Sequence, residues 1–309
     1  MNPTHIYHAD WGTGPNKRWL AQATLGADGR YAAHAPAPIQ NHEDLIPSLQ
    51  RQINDSGCAL VGFDFPIGIP ASYARIAEVF DFKNFLLRLG HGEWADFYNV
   101  ARTPSEISIH RPFYPFGNGG ARQIHLLSAL GLDDIDELRR ECEKKQAGRR
   151  AACPLFWTLG ANQVGKGAIV GWRDVLASAL NSGGDVLLWP FDGHLEDLLT
   201  TGKIAIAETY PAECYRWFLP EPLKGKGELE VRRAVGSHLT KWGACLDLSL
   251  EPSLLCMIEK GFPEGDDAFD SVVGLFGMIE VVRERRLPGE PSENKTRKLE
   301  GWILGQSAR

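Results

Sequence analysis

Five carboxylates carry the chemistry this chain could perform. Asp10, Asp64 and Glu208 each close a short apolar run, and Asp267 and Asp270 open a long apolar one. Hard divalent ions such as Mg²⁺ and Mn²⁺ take oxygen ligands. Two such ions, about 3.5–4 Å apart between shared carboxylates, are an apparatus for phosphoryl chemistry. One orients and deprotonates water; the other stabilises the leaving oxygen. Carboxylates crowded together without a cation repel one another, so a metal is their natural neutraliser.

Each acid also has a plainer reading. Asp10 could cap the turn Gly12-Thr13-Gly14-Pro15-Asn16. Asp64 could bond the backbone of Pro66-Ile67-Gly68-Ile69-Pro70, and Glu208 could pair with an arginine at a strand-to-helix junction. Asp266 reads as a helix N-cap, and Asp267 as a favourable charge in a first helical turn. Asp270 is harder to assign this way, because its helical neighbours are apolar.

The elements that must position these acids follow from patterning. Residues 4–10, 18–25 and 30–35 read as strands, the last two joined by the tight turn Gly26-Ala27-Asp28-Gly29. Leu45, Leu49 and Ile53 mark one face of a helix over 43–54. Residues 58–65 are apolar throughout, as in a parallel strand covered on both faces. Further strands are expected at 185–189 and 203–208, and helices at 168–180, 212–218, 228–246, 252–259 and from 266 to about 285. The stretch 83–167 reads as an insertion in one domain spanning 1–309, with a helix at 135–146. Three acids at equivalent strand ends face the crevice where open α/β sheets bind ligands. Asp267 and Asp270, at i and i+3, share one helix face. Gly274 and Gly277 continue near that face and would allow close approach to a sheet, while Phe269, Val272, Val273 and Phe276 lie on the opposite side.

These residues resemble a known pattern. An Asp closing strand one, an acid closing strand four and Asp267-Ala268-Phe269-Asp270 opening the last helix are similar to the ribonuclease H-like nucleases, distantly to Holliday-junction resolvases. The set His8-Ala9-Asp10, Asp64-Phe65-Pro66-Ile67-Gly68-Ile69-Pro70, Glu208-Thr209-Tyr210-Pro211-Ala212 and Asp266-Asp267-Ala268-Phe269-Asp270 more closely resembles a domain-of-unknown-function family of predicted nucleases with that fold. The resemblance implies a ribonuclease H-like mixed sheet, three antiparallel strands followed by parallel ones, flanked by helices. It implies Asp10, Asp64, Asp267 and Asp270 as metal ligands, with Glu208 beside them in the catalytic set. The long insertion departs from compact nucleases and leaves the substrate open.

Other motifs are less specific. Gly160-Ala161-Asn162-Gln163-Val164-Gly165-Lys166-Gly167 fits G-x-x-x-x-G-K, but Gly167 stands where a phosphate loop needs Ser or Thr for magnesium. Asn162, Gln163 and Lys166 remain candidates for a substrate-phosphate site at a helix start; the alternative is a tight turn with Lys166 in solvent. Asp10-Trp11-Gly12-Thr13-Gly14 is similar to a loop of actin-like ATPases and sugar kinases, although a second such loop is not evident. Arg139, Arg140, Lys144, Lys145, Arg149 and Arg150, interleaved with Glu141 and Glu143, read as a solvated helix face, with a nucleic-acid patch as the alternative. His110, Arg111, Phe113, Tyr114 and Phe116 could stack bases or anchor a loop. No G-x-S-x-G elbow occurs.

The bulk properties bound these readings. The 309 residues are 43% hydrophobic and 23% charged, with a net charge of −6. That balance does not favour gripping long nucleic acid through many phosphates. The six cysteines form no C-x-x-C pair, which argues against structural zinc. Neither a secretory leader nor a membrane span is visible, so a cytoplasmic protein is expected. The expected function is a Mg²⁺- or Mn²⁺-dependent phosphodiester hydrolase acting on nucleic acid or a nucleotide-like phosphoester. The alternatives are a non-catalytic binding or regulatory protein, or an ATP-dependent phosphotransferase.

Overall fold

The computed structural model describes residues 2–53, 57–146, 149–160, 164–181 and 185–307. They form a mixed α/β structure in two compact units. The first unit draws on residues up to 64, on 185–289 and on 303–307; the second draws on 65–181 and 290–302. The segment 83–167 belongs to the second.

The first unit holds an eight-stranded sheet in the order β6-β7-β5-β1-β2-β3-β8, with β4 paired to β2. The strands are β1 (His5–Trp11), β2 (Arg18–Leu25), β3 (Tyr31–Ala33), β4 (Ala37–Pro38), β5 (Ala59–Phe63), β6 (Val186–Leu188), β7 (Ile204–Glu208) and β8 (Leu248–Leu250). β1, β2 and β3 run antiparallel in sequence, while β5 joins β1 in parallel, followed by parallel β7 and β6. Every residue of β5 and β7 is buried, which is why both runs lack polar alternation. β8 adds parallel to β3. Neither β8 nor β4 is expected from the sequence pattern.

Six helices matter below: α1 (Leu45–Gln52), α2 (Val164–Val170), α3 (Pro211–Phe218), α4 (Leu229–Cys245), α5 (Pro252–Lys260) and α6 (Asp266–Val282). α2 starts four residues ahead of the expected 168 and continues through a π-helical stretch, Gly171–Leu176, into Ala177–Asn181. α6 is buried on all sides from Ala268 to Ile279, not on one apolar face alone. Its glycines explain how it lies so close to its neighbours. A Cβ on Gly274 would stand 2.1 Å from His8 Nε2 in β1, and one on Gly277 would stand 2.5 Å from Cys214 Sγ in α3. On its other sides Phe276 meets Trp242 of α4 edge-on, and Phe269 meets Phe262.

The second unit packs an aromatic core in which Phe97 contacts Phe85, Trp94, Phe113 and Trp172. Its basic segment overturns two expectations. Residues 135–146 are not one helix but two short 3₁₀ turns, Ile135–Leu138 and Glu141–Glu143, with extended backbone at Arg139 and Arg140 between them. Nor is the segment a solvated face. Arg140 is fully buried, donating to the Glu143 carboxylate and to the carbonyls of Ile67 and Glu300. No helix among the described residues is long and apolar enough to cross a membrane.

Candidate functional site

Sheet register decides which acids gather. Ala9 of β1 lies level with Phe63 of β5, and the Asp64 amide continues the ladder to the Ala9 carbonyl at 3.1 Å. Asp10 and Asp64 therefore sit side by side, one residue beyond that pair. Side chains alternate faces along a strand, so His8, Asp10, Gly62 and Asp64 share one face. That face receives α6: Gly274 approaches His8, and a Cβ on Gly62 would meet Met278 Sδ at 2.5 Å. His8 is fully buried, bonds Thr209 Oγ1 through Nε2 at 2.8 Å, and has its imidazole pushed down to about 3 by burial.

Glu208 behaves differently. It is level with Phe63, not with Asp64, so alternation turns its side chain to the opposite face of the sheet. It is buried, and its charge helps to raise the carboxyl of the adjacent Asp64. It nevertheless stands apart from the acids under α6.

α6 supplies the remaining acids. Its N-cap is Gly265, with φ of 132°, and no side chain caps the helix; Asp266, expected as the cap, is instead its first residue. Asp267 is half-buried in the first turn and Asp270 is buried in the next. Tyr215 of α3 donates its hydroxyl to Asp270 Oδ1, and Lys226 donates its ammonium to Asp270 Oδ2. Lys226 Nζ also lies 3.9 Å from Asp266 Oδ2.

Electrostatics ties these groups into one cluster. Asp10, only 7% exposed, has its carboxyl held well above the usual range by burial and then by the charges of Asp270, Asp64 and Asp267. Burial, Asp270 and Glu208 push Asp64 up to about 7, against the pull of Lys226. Asp267 is raised by burial and by Asp266, against Lys17 and Lys226. Asp270 is raised by burial despite its two donors. Burial works against the Lys226 ammonium, but Asp270, Asp10 and Asp266 outweigh it and raise its pKa. These shifts are the mark of acids crowded together in a buried place.

Neither Lys226 nor Tyr215 is marked in the sequence. Lys226 stands between two glycines, on the connection from α3 to α4. Its backbone is fixed by Arg232 of α4, which donates to the carbonyls of Lys226 and Gly227 at 2.6 and 2.8 Å and to those of Gly261 and Phe262 at 3.0 and 3.2 Å. One buried guanidinium thus holds the Lys226 loop to the turn preceding α6. Glycines around Lys226 were the available signal, but they do not name a partner 44 residues away.

Among the described residues, no group of three or more His, Cys, Asp or Glu side chains is arranged to hold a metal ion. At Asp270 an ammonium, that of Lys226, already occupies one carboxylate oxygen. Carboxylate oxygens are the kind of ligand a hard cation takes.

Of the phosphate-loop candidates, Asn162 and Gln163 lie outside the described residues. Lys166 lies in α2, in the second unit, whereas the acids belong to the first. Gly165 serves close packing there, since a Cβ on it would stand 2.5 Å from the Leu155 carbonyl oxygen. No strand precedes Gly160 among the described residues of 149–160.

Comparison with protein-family models, with curated proteins and with solved structures found no match.

Proposed function

We propose that this protein is a divalent-metal-dependent phosphodiester hydrolase with a ribonuclease H-like sheet, acting on nucleic acid or a nucleotide-like phosphoester. The strand order supports the fold reading: three antiparallel strands, then parallel strands added beside the first, with an acid-bearing helix laid across them. One observation carries the functional reading. The carboxyl of Asp10 is raised first by burial and then jointly by Asp270, Asp64 and Asp267, so acids from two strands and one helix act on one another as a charge cluster.

Asp10, Asp64, Asp267 and Asp270 are the residues that would hold Mg²⁺ or Mn²⁺. The cation would supply charge neutralisation and Lewis acidity toward a phosphoryl oxygen. The chain's own residues supply orientation. Tyr215 and Lys226 fix both oxygens of Asp270, and the β1–β5 ladder fixes Asp10 beside Asp64. Glu208 acts on Asp64 by charge from the next strand.

The Lys226–Asp270 pair also favours a second reading, a non-catalytic binding protein in which the ammonium is the permanent counter-ion. Calorimetric titration with Mn²⁺, together with hydrolysis assays on DNA, RNA and cyclic nucleotides, separates the two. Hydrolysis requires Mn²⁺ and is abolished by Asp10→Asn or Asp267→Asn under the first reading. Absence of both Mn²⁺ heat and turnover leaves the second.

A further inference from the structure

We propose that a cleft at the end of α6 remote from the acids binds a small molecule that joins a flat aromatic ring to an anionic group. The proposal depends neither on the acid cluster nor on a metal.

The cleft has a volume of about 610 Å³, within the usual range for small-molecule sites. It is built inside the first unit, where the ends of α3 and α6 meet the second half of α4. At about 1.5 Å of rise per residue, Glu280 on the cleft lies roughly 15 Å along α6 from Asp270. On α4, His238, Lys241, Trp242 and Cys245 follow the i, i+3, i+4, i+7 spacing of one helix face, so the helix presents a single stripe to the cleft.

Three aromatic rings line it, Trp217 and Phe218 of α3 and Trp242 of α4, and they are held before any ligand arrives. Phe218 and Trp242 stack with centroids 4.8 Å apart and planes 3° apart. Trp242 Nε1 donates to Glu280 Oε2 at 2.6 Å, and the Arg286 guanidinium lies 3.7 Å from the centre of the Trp217 ring. A preformed aromatic wall takes another flat ring at little ordering cost.

The rim selects the charge. Among the described residues Glu280 is the one acid lining the cleft, and its carboxylate already accepts from Trp242 and, at 3.4 Å, from Arg286. Lys241 and Arg285 are exposed on the same rim and make no ion pair or side-chain hydrogen bond among the described residues. Two unpaired cations beside a wall of rings suit an anion carried on an aromatic frame. An aryl carboxylate and a nucleoside monophosphate share that chemistry. A neutral ring gains the stacking alone, and a cationic ring meets like charge.

Cys245 reports on the cleft, because it lines it and is exposed; Cys256 on α5 is also exposed and does not line it. The full chain is labelled with iodoacetamide in the presence of indoleacetate, AMP, indole or tryptamine, and both cysteines are followed by mass spectrometry. Slower labelling of Cys245 with Cys256 unchanged is expected from indoleacetate or AMP, and whichever protects at lower concentration separates the aryl carboxylate from the nucleotide. Indole should protect less, and tryptamine, the same ring bearing an ammonium, not at all. The double variant Lys241→Ala/Arg285→Ala changes only exposed side chains and should weaken protection by about tenfold, the scale of two surface ion pairs. No protection by either acid, equal protection by tryptamine, or protection unchanged in the double variant overturns the proposal. Protection of Cys245 that grows with protein concentration without any probe also overturns it, since a second copy of the chain then fills the cleft.

Discussion

Lys226 and Asp270 lie 44 residues apart in sequence and meet as ammonium on carboxylate, the lysine at the solvent side and the aspartate buried. The pair gives the acidic cluster one internal positive charge against several negative ones. Most of what can be tested follows from that imbalance and from the helix that creates it.

The metal-free protein should lose stability as pH rises. Asp64, pushed up to about 7, keeps its proton in the folded chain to a higher pH than in the unfolded chain. Between about pH 4 and 7 the folded state therefore binds more protons, and stability falls as pH increases. Thermal melts in chelator should show a midpoint several degrees lower at pH 8 than at pH 5, on a scale of about 2–4 °C per kcal/mol. Asp64→Asn and Asp10→Asn should each flatten that dependence and raise the midpoint at pH 8. A midpoint that climbs steadily from pH 5 to 8 in wild type would contradict the cluster.

Tyr215→Phe should weaken the fold without dismantling it. The ring keeps its place against Phe269, and only the hydroxyl donated to Asp270 is lost. A hydrogen bond to a charged group contributes about 1.5–3 kcal/mol. Urea denaturation should show a loss in that range with an unchanged slope.

Gly274→Ala should be among the most disruptive small changes in α6. Alanine favours helix over glycine by about 1 kcal/mol, yet its Cβ would stand 2.1 Å from His8 Nε2. Overpacking of this kind costs about 1–3 kcal/mol, so a net loss is expected. The helix must shift away from β1, and Asp267 and Asp270 move with it; Mn²⁺ affinity should fall as well. Gly62→Ala should also be destabilising: the flexible Met278 thioether could give way, but the Cβ would stand 2.7 Å from Cγ2 of Thr209, a β-branched side chain bonded to His8.

Arg140→Met in the second unit should cost about 3–5 kcal/mol, the usual penalty for leaving a buried charge without its partner. Here the stranded charge is Glu143, and the carbonyls of Ile67 and Glu300 lose their donors too. Adding Glu143→Leu should recover part of the loss. Equilibrium unfolding of the single and double variants checks this.

Much of the sheet and the last helix could be read directly from the chain. The apolar runs of β1, β5 and β7, the Asp28-Gly29 turn and the Asp266–Val282 pattern reflect local burial and turn chemistry, which individual residues report. β8 and the 3₁₀ turns near Arg140 were not legible. β8 is held by its pairing with β3, and Arg140 is tied to carbonyls at Ile67 and Glu300, partners that lie far away in sequence.

The same division runs through the candidate site. Sequence by itself determined that Asp10 and Asp64 close apolar runs and that Asp267 and Asp270 open one, because a carboxylate beside a buried run is a local feature. Only the tertiary structure decided their company. Register between β5 and β7 turned Glu208 to the other face, a one-residue offset that the separate strands do not encode. Packing of α6 on β1 through Gly274 brought the helix acids to the strand acids. Arg232, by binding four carbonyls from two segments, set Lys226 over Asp270. Burial and mutual charge then raised these carboxyls together, an effect that depends on distances between elements and so exists only once the chain has folded.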